Sequence, residues 1–312
     1  MHETMNLFDD QSVLDCKRFQ CYTEFVPEEW EEYRMIEINR FALNRIIAPR
    51  MGLRDFIDFA VQIGIHKIEL RNDLPGKTII DHFSPQAVKK LCNDTGVSII
   101  TINAVQKFNL KTMKYTVREE LNRLLELATD ISCPALILCP NNDPADRRTP
   151  EERKKETIEA LTEFAPLFQN AGITGLVEPL GFRISSLASA LEAVEMIRES
   201  GANCYKVTLD TFHHFLGPDK PESLGTELKP EWIGLVHVSG VEDPLPPEKI
   251  LDEHRVLPSE KDRLQSKEQV HRLITAGYTG DISFEPFGSR IQNLPAEELK
   301  KKLKESIEYL SV

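Results

Sequence analysis

The chain has 312 residues, 41% hydrophobic and 28% charged, and its 38 Lys+Arg against 50 Asp+Glu give a net charge of −12. That composition is globular and long enough to bury a sizeable core, and no apolar run reaches the roughly 20 residues of a membrane helix. The acidic balance excludes nucleic acid and anionic membranes as expected partners, because phosphates attract cationic patches. Six cysteines, at 16, 21, 92, 133, 139 and 204, contain no CxxC pair. Reduced thiols and a cytoplasmic location are therefore expected rather than a disulfide scaffold. No basic stretch followed by an apolar core opens the chain, so secretion is not expected.

Residues 1–34 differ from the rest of the chain. They hold nine acids and three bases, a balance of −6 that is half the net charge of the whole. They show no period of 2 or 3.6, which predicts an extension outside the core, with Met35 a plausible original start. From Met35 onward short apolar runs alternate with amphipathic stretches. Expected strands are Ile36–Asn39, Ile65–Leu70, Val97–Asn103, Ala135–Cys139, Ile173–Glu178, Tyr205–Asp210, Ile233–Val238 and Asp281–Glu285. Their Val, Ile and Leu content is that of strands buried on both faces. Expected helices include Leu53–Ile63, Pro85–Thr95 and Ser186–Ser200, each followed by a glycine that can close it in the left-handed conformation. Thr149-Pro150-Glu151-Glu152 reads as a capped helix start. Eight strand–helix units in about 278 residues predict an α/β fold, a single (β/α)8 TIM barrel over 35–312. An open doubly wound sheet is the alternative, but neither GxGxxG nor a P-loop is present.

Barrel enzymes carry their chemistry at the C-terminal ends of the strands. In the second half of the chain those ends are Glu178, Asp210, His237 and Glu285. Three carboxylates converging on one mouth repel each other strongly, and a divalent cation bound by all four residues relieves that. Oxygen-rich ligation with one imidazole suits Mn²⁺, Co²⁺, Mg²⁺ or Zn²⁺. His213, three residues after Asp210, can turn back toward this site, whereas His214 points elsewhere. Arg255 lies in a long stretch, 239–265, with four prolines. Such a connection in a compact domain is usually functional.

These segments resemble the xylose-isomerase-like barrels, the sugar isomerases and epimerases related to endonuclease IV. The resemblance runs from Met35 to the C-terminus. Within that group the chain most resembles the inosose (2-keto-myo-inositol) isomerases. The matching segments are ELRND (69–73), TINAV (101–105), LVEPLGFRISS (176–186), LDTFHHFL (209–216), LVHVSGVED (235–243), DEHRVLP (252–258) and FEPF (284–287). The resemblance places one divalent metal on Glu178, Asp210, His237 and Glu285, and a neighbouring histidine at His213. It also gives a substrate-contacting arginine at Arg255. Where many relatives follow that arginine with a Pro-Gly-x-Gly turn, this chain has Pro258-Ser259-Glu260-Lys261-Asp262. The nuclease branch, with extra histidines at early strand ends, is disfavoured by Arg71 and Asn103 at those positions.

The activity implied is conversion of scyllo-inosose to 1-keto-D-chiro-inositol through an enediolate, in inositol catabolism. Glu178 and Glu285 are the expected acid–base groups. Asp210 and His237 are expected mainly as ligands. His213 and Arg255 are expected to bind the oxygen that gains charge, with Arg71 and Asn103 on sugar hydroxyls. The partner is then a small cyclic polyol ketone; the oligomeric state is left open. An inosose dehydratase or a ketose 3-epimerase uses the same residues, and a barrel that only binds a polyol is a third reading. The acidity and aperiodicity of residues 1–34 generate one prediction: a chain beginning at Met35 is soluble and as active as the full one. Insolubility, or activity lost with the deletion, contradicts it.

Overall fold

The structure, a computed structural model, describes residues 35–312; the acidic segment 1–34 lies outside the described residues. The eight strands are β1 Phe41–Asn44, β2 Lys67–Arg71, β3 Ser98–Val105, β4 Ala135–Leu138, β5 Thr174–Val177, β6 Tyr205–Asp210, β7 Ile233–Val238 and β8 Asp281–Phe284. Each pairs in parallel with the next, and β8 pairs with β1 to close the ring. The expected (β/α)8 barrel is the observed one.

Helices cover the outside, and local sequence explains their ends. The helix α1 spans Leu53–Gln62, α2 Pro85–Thr95, α3 Lys114–Asp130, α4 Pro150–Ala171 and α5 Ala190–Ser200. The short α6 is Thr211–Leu216, and after it come α7 Ser266–Thr275, α8 Ser289–Gln292 and α9 Ala296–Ser311. At α4 the Thr149 side chain accepts from Glu152 N while the Glu152 carboxylate accepts from Thr149 N, and Pro150 holds the first position. Gly172 closes it at φ 67°. The helix expected over Ser186–Ser200 starts later, at Ala190, because the Ser189 hydroxyl accepts from Glu192 N and caps it there. Among the described residues no helix is long and apolar enough to cross a membrane.

The first strand is a correction. Ile36–Asn39 has the alternation of a strand, but Ile38–Arg40 forms a 3₁₀ turn and the strand is Phe41–Asn44. Burial decides: all four residues of β1 are buried, as a strand between barrel interior and helices requires, whereas Ile38 is exposed. The Arg40 guanidinium holds the entry by donating to the carbonyls of Tyr278 and Gly280.

The period of two sorts each strand into an outer and an inner face. Outward residues such as Leu43, Ile68, Ile102, Val236 and Phe284 pack with the helices in one large cluster. Inside, Ala104, Ala135, Ile137, Leu176 and Leu235 form a separate apolar plug. Above the plug the inward residues turn polar.

Close approaches depend on small residues at one place in particular. A Cβ on Gly181 would lie 2.0 Å from the His213 carbonyl oxygen and 2.8 Å from Gly217 N. Gly181→Ala must therefore push α6, which carries His213, away from the β5 loop. Overpacking of this kind costs about 1–3 kcal/mol, readable as a lowered urea midpoint. An unchanged midpoint would show that α6 is free to move.

Candidate functional site

Glu178 directly follows β5, Asp210 ends β6, His237 is the penultimate residue of β7, and Glu285 directly follows β8. One ligand atom from each of the four lies within 4.8 Å of all the others, and all four are buried. Among the described residues this is the group of acids and imidazole that can hold a metal ion. His237 Nδ1 lies 2.8 Å from Glu178 Oε1 and 3.3 Å from Glu285 Oε2. Arg255 Nη2 donates to Asp210 Oδ2 at 2.6 Å and to Glu285 Oε2 at 3.0 Å.

The remaining expected residues line the same mouth. A cavity of about 310 Å³ opens there, bounded by Arg71, Asn103, Glu178, His213, Arg255 and Glu285. Arg71 donates to Glu285 Oε1 at 2.7 Å and makes a fork to Asp73 through two bonds of 2.7 Å. Asn103 donates to the same Glu285 oxygen at 3.2 Å. His213 is buried, with its ring edge-on to Phe182 and Phe212 at 5.2 Å, and its Nδ1 has no hydrogen-bond partner. His214 turns away and binds Gln269. A larger cavity, about 630 Å³, lies at the other end of the barrel among strand starts such as Ala135, Thr174 and Ile233. It gathers no comparable set of ligands among the described residues.

The long connection 239–265 is a packed element rather than a loose loop. Gly240 and Val256 bridge each other, and Val241, Ile250 and Leu264 pack against Phe212. The Asp262 carboxylate accepts from Val241 N, Leu264 N and Ser266 N, and so organises the turn where a Pro-Gly-x-Gly pattern is missing. Arg255 is 1% exposed and lies between the rings of Phe212 and Phe287, at 4.7 and 4.8 Å. Its partners are Asp210, Glu285, Ser239 and Asp252; it makes no exposed pair with Glu253.

Electrostatics separates the acids. Burial works against ionisation of Glu285, but His237, Arg255 and Arg71 outweigh it and hold Glu285 well below the usual carboxylate range. Burial, reinforced by the charges of Glu285 and Glu178, pushes Asp210 up despite Arg255. His237 is held well above the usual imidazole value, because Glu285, Glu69 and Glu178 overcome its burial. Burial and the Arg255 charge push His213 down to about 3, so it is neutral at ordinary pH.

Four residues of the site escape a reading of strand ends in the second half of the chain. Glu69, inside β2, is 0% exposed and meets His237 Nε2 at 3.1 Å. Asn44, at the end of the displaced β1, donates to Glu69 and Glu285. Cys139 donates its thiol to Glu178 Oε2 at 3.4 Å, and Phe287 stacks under both Arg71 and Arg255. An acid alternating with Ile68 and Leu70 was the available signal for Glu69.

The donor set fits a divalent cation on its chemistry. Four buried carboxylates, counting Glu69, face one imidazole and two guanidiniums. Both guanidiniums are shared with further acids, Asp73 and Asp252. Buried charge of one sign requires compensation, and three carboxylates with one imidazole nitrogen form a hard ligand set with room for it.

Comparison with known proteins places this geometry. A xylose isomerase domain protein from Salmonella typhimurium has 40% sequence identity and a TM-score of 0.82, covering 88% of this chain and 98% of that one. The IolI protein, solved with a bound zinc atom, has 20% identity and a TM-score of 0.79 over 87% of this chain and 98% of its own. A 2-epi-5-epi-valiolone 7-phosphate 2-epimerase from Actinoplanes sp. is 23% identical over 188 residues, 58% of this chain and 66% of that enzyme. Residues 57–311 match the family model described as xylose isomerase-like TIM barrel, and the chain belongs to that family.

Proposed function

We propose that the protein is a metal-dependent isomerase that interconverts scyllo-inosose and 1-keto-D-chiro-inositol, with the metal held by Glu178, Asp210, His237 and Glu285. The observation that carries this reading is the meeting of those four side chains at the mouth of a sugar-sized cavity whose walls include the donors Arg71, Asn103 and Arg255. The bound zinc of the similar IolI protein supports it. A divalent cation there supplies Lewis-acid polarisation of a substrate carbonyl.

The chain's own residues then divide the proton work. Glu285 accepts from Arg71, Asn44, Asn103 and Arg255 and stays ionised. Glu178 is less encumbered: among the described residues its carboxylate hydrogen-bonds His237 and the Cys139 thiol. Glu178 therefore removes the proton from the carbon beside the carbonyl and returns it to the neighbouring carbon. Glu285 relays the hydroxyl proton of the first carbon to the former carbonyl oxygen, so charge and protons balance across the enediolate. Arg255 and neutral His213 steady the oxygen that gains charge. Arg71 and Asn103 orient ring hydroxyls, and Phe182 and Phe287 exclude water from one side.

The 2-epimerase relative favours a second reading, in which the same abstraction is followed by delivery of a proton to the opposite face of the same carbon. Elimination of water, as in an inosose dehydratase, is a third outcome. NMR of the product from scyllo-inosose and metal-loaded protein separates them: 1-keto-D-chiro-inositol supports isomerisation, and an epimer, a dehydrated ketone or unchanged substrate contradicts it.

Two sets of variants test the residue roles. Glu178→Gln should lose at least about 10²-fold in turnover and also the exchange of the substrate's carbon-bound proton with D₂O. Glu285→Gln should lose turnover as well. Wild-type turnover by both, with metal retained, rules out the assignment. Arg255→Ala should lower kcat/KM roughly 10²–10³-fold, about 2.7–4 kcal/mol. Arg255→Lys should recover little, since one ammonium cannot bridge Asp210 and Glu285 while lying between Phe212 and Phe287. An Arg255→Ala protein within about threefold of wild type leaves the arginine without a role in turnover.

A further inference from the structure

Glu69 is buried inside β2, and the strand register assembles its surroundings. Asn44 is its partner on β1 and Thr101 its partner on β3, while Ser283 on β8 is the partner of His237 on β7. All four of those residues converge on the Glu69 carboxylate. Oε1 accepts from the Ser283 hydroxyl and from Asn44 Nδ2 at 3.3 Å. Oε2 accepts from the Thr101 hydroxyl at 2.5 Å and lies 3.1 Å from His237 Nε2. Both oxygens are thus held from both sides, and the carboxylate has no freedom to rotate. A buried acid in mid-barrel is costly where a plain apolar residue would pack, so its presence calls for a partner that uses it.

We infer that Glu69 is a positioning residue that keeps the Nε2 hydrogen of His237 and presents Nδ1 to the Glu178–Asp210–Glu285 cluster, where a cation would take the place of the Nδ1 proton. The Glu69 oxygen that faces Nε2 also accepts from the Thr101 hydroxyl, so Nε2 donates to an acceptor outside the cluster and keeps its hydrogen, whereas Nδ1, which faces the Glu178 carboxylate, would give up its hydrogen on binding a cation. The ring has two nitrogens, and assigning the proton to one leaves the other free to ligate. His237 Nδ1 is the nitrogen inside the cluster, 2.8 Å from Glu178 Oε1. A carboxylate behind a ligating imidazole also raises its basicity, and removing such a partner typically weakens metal binding 10–100-fold. The inference rests on the metal-site reading above and extends it into the first half of the barrel: Asn44, Thr101 and Ser283 serve the metal through Glu69.

The test is competition for Zn²⁺ between the full-length protein and a chromophoric chelator. Wild type should bind the ion, and Glu69→Gln, which keeps shape but not charge, should bind it 10–100-fold more weakly. Thr101→Val, which leaves Glu69 in place but releases one of its oxygens, should bind a few-fold more weakly and reports the effect if Glu69→Gln does not fold. Cobalt-loaded wild type should show one exchangeable, hyperfine-shifted imidazole N–H signal that exchanges slowly with solvent. In Glu69→Gln that signal should shift and exchange faster, which a purely structural role for Glu69 would not bring about. Wild type without Zn²⁺ affinity overturns the metal reading itself. Wild type that binds, with Glu69→Gln or Thr101→Val binding equally well and the N–H signal unmoved, overturns the role of Glu69 alone.

Discussion

Like charges forced together inside a barrel mouth are the constraint around which the rest of the site is arranged. Two unit charges about 4 Å apart interact by roughly 4 kcal/mol at an effective dielectric of about 20. Glu178, Asp210 and Glu285 are buried within one such neighbourhood, and Glu69 is buried on the far side of the His237 ring. The surrounding protein answers with Arg71, Arg255 and His237, and with hydroxyls and amides from three strands. The opposing shifts record the strain: Asp210 is driven up by burial and its acidic neighbours, while Glu285, with most of the cationic partners, is driven down. A doubly charged ion in the middle would settle both.

The same constraint explains why the periphery is built so firmly. Arg255 has to stay desolvated between two phenyl rings to serve Asp210 and Glu285 together. The 239–265 connection gives it a fixed seat through the Gly240–Val256 bridge and the three amides that Asp262 gathers. Gly181 lets α6 lie against the β5 loop, which brings His213 to the cavity with one nitrogen unpartnered. The strands and their ends thus present the acids together with Arg71, Asn103 and His237, and the connections after β6 and β7 present His213 and Arg255.

Much of this was legible in the sequence, for definable reasons. Strands buried on both faces are continuous apolar runs, so an acid or imidazole that ends one is conspicuous; Glu178, Asp210, His237 and Glu285 stood out that way. Helix ends at Gly96, Gly172 and Gly201 were legible because a left-handed residue closes each. The first strand was not, because Ile36–Asn39 carries two isoleucines of strand type while Phe41–Asn44 is a short run with alanine and no β-branched residue. Burial, a property of the assembled barrel, chose the second. Asn44 was lost with it. Glu69 was hidden because it sits in mid-strand, flanked by Ile68 and Leu70, where its meaning depends on Thr101, Ser283 and His237 arriving from other strands. Local pattern finds residues at the ends of elements; a residue defined by its cross-strand neighbours needs the register.

The most direct measurement is the divalent metal content of the purified, metal-loaded protein by elemental analysis, wild type beside Asp210→Ala. Asp210 is the telling position because, among the described residues, the donors that hold its carboxylate are Arg255 and the Phe212 amide. The account predicts one tightly held ion per wild-type chain and loss of most of it in Asp210→Ala. Full occupancy in the variant, or no ion in the wild type, would contradict it.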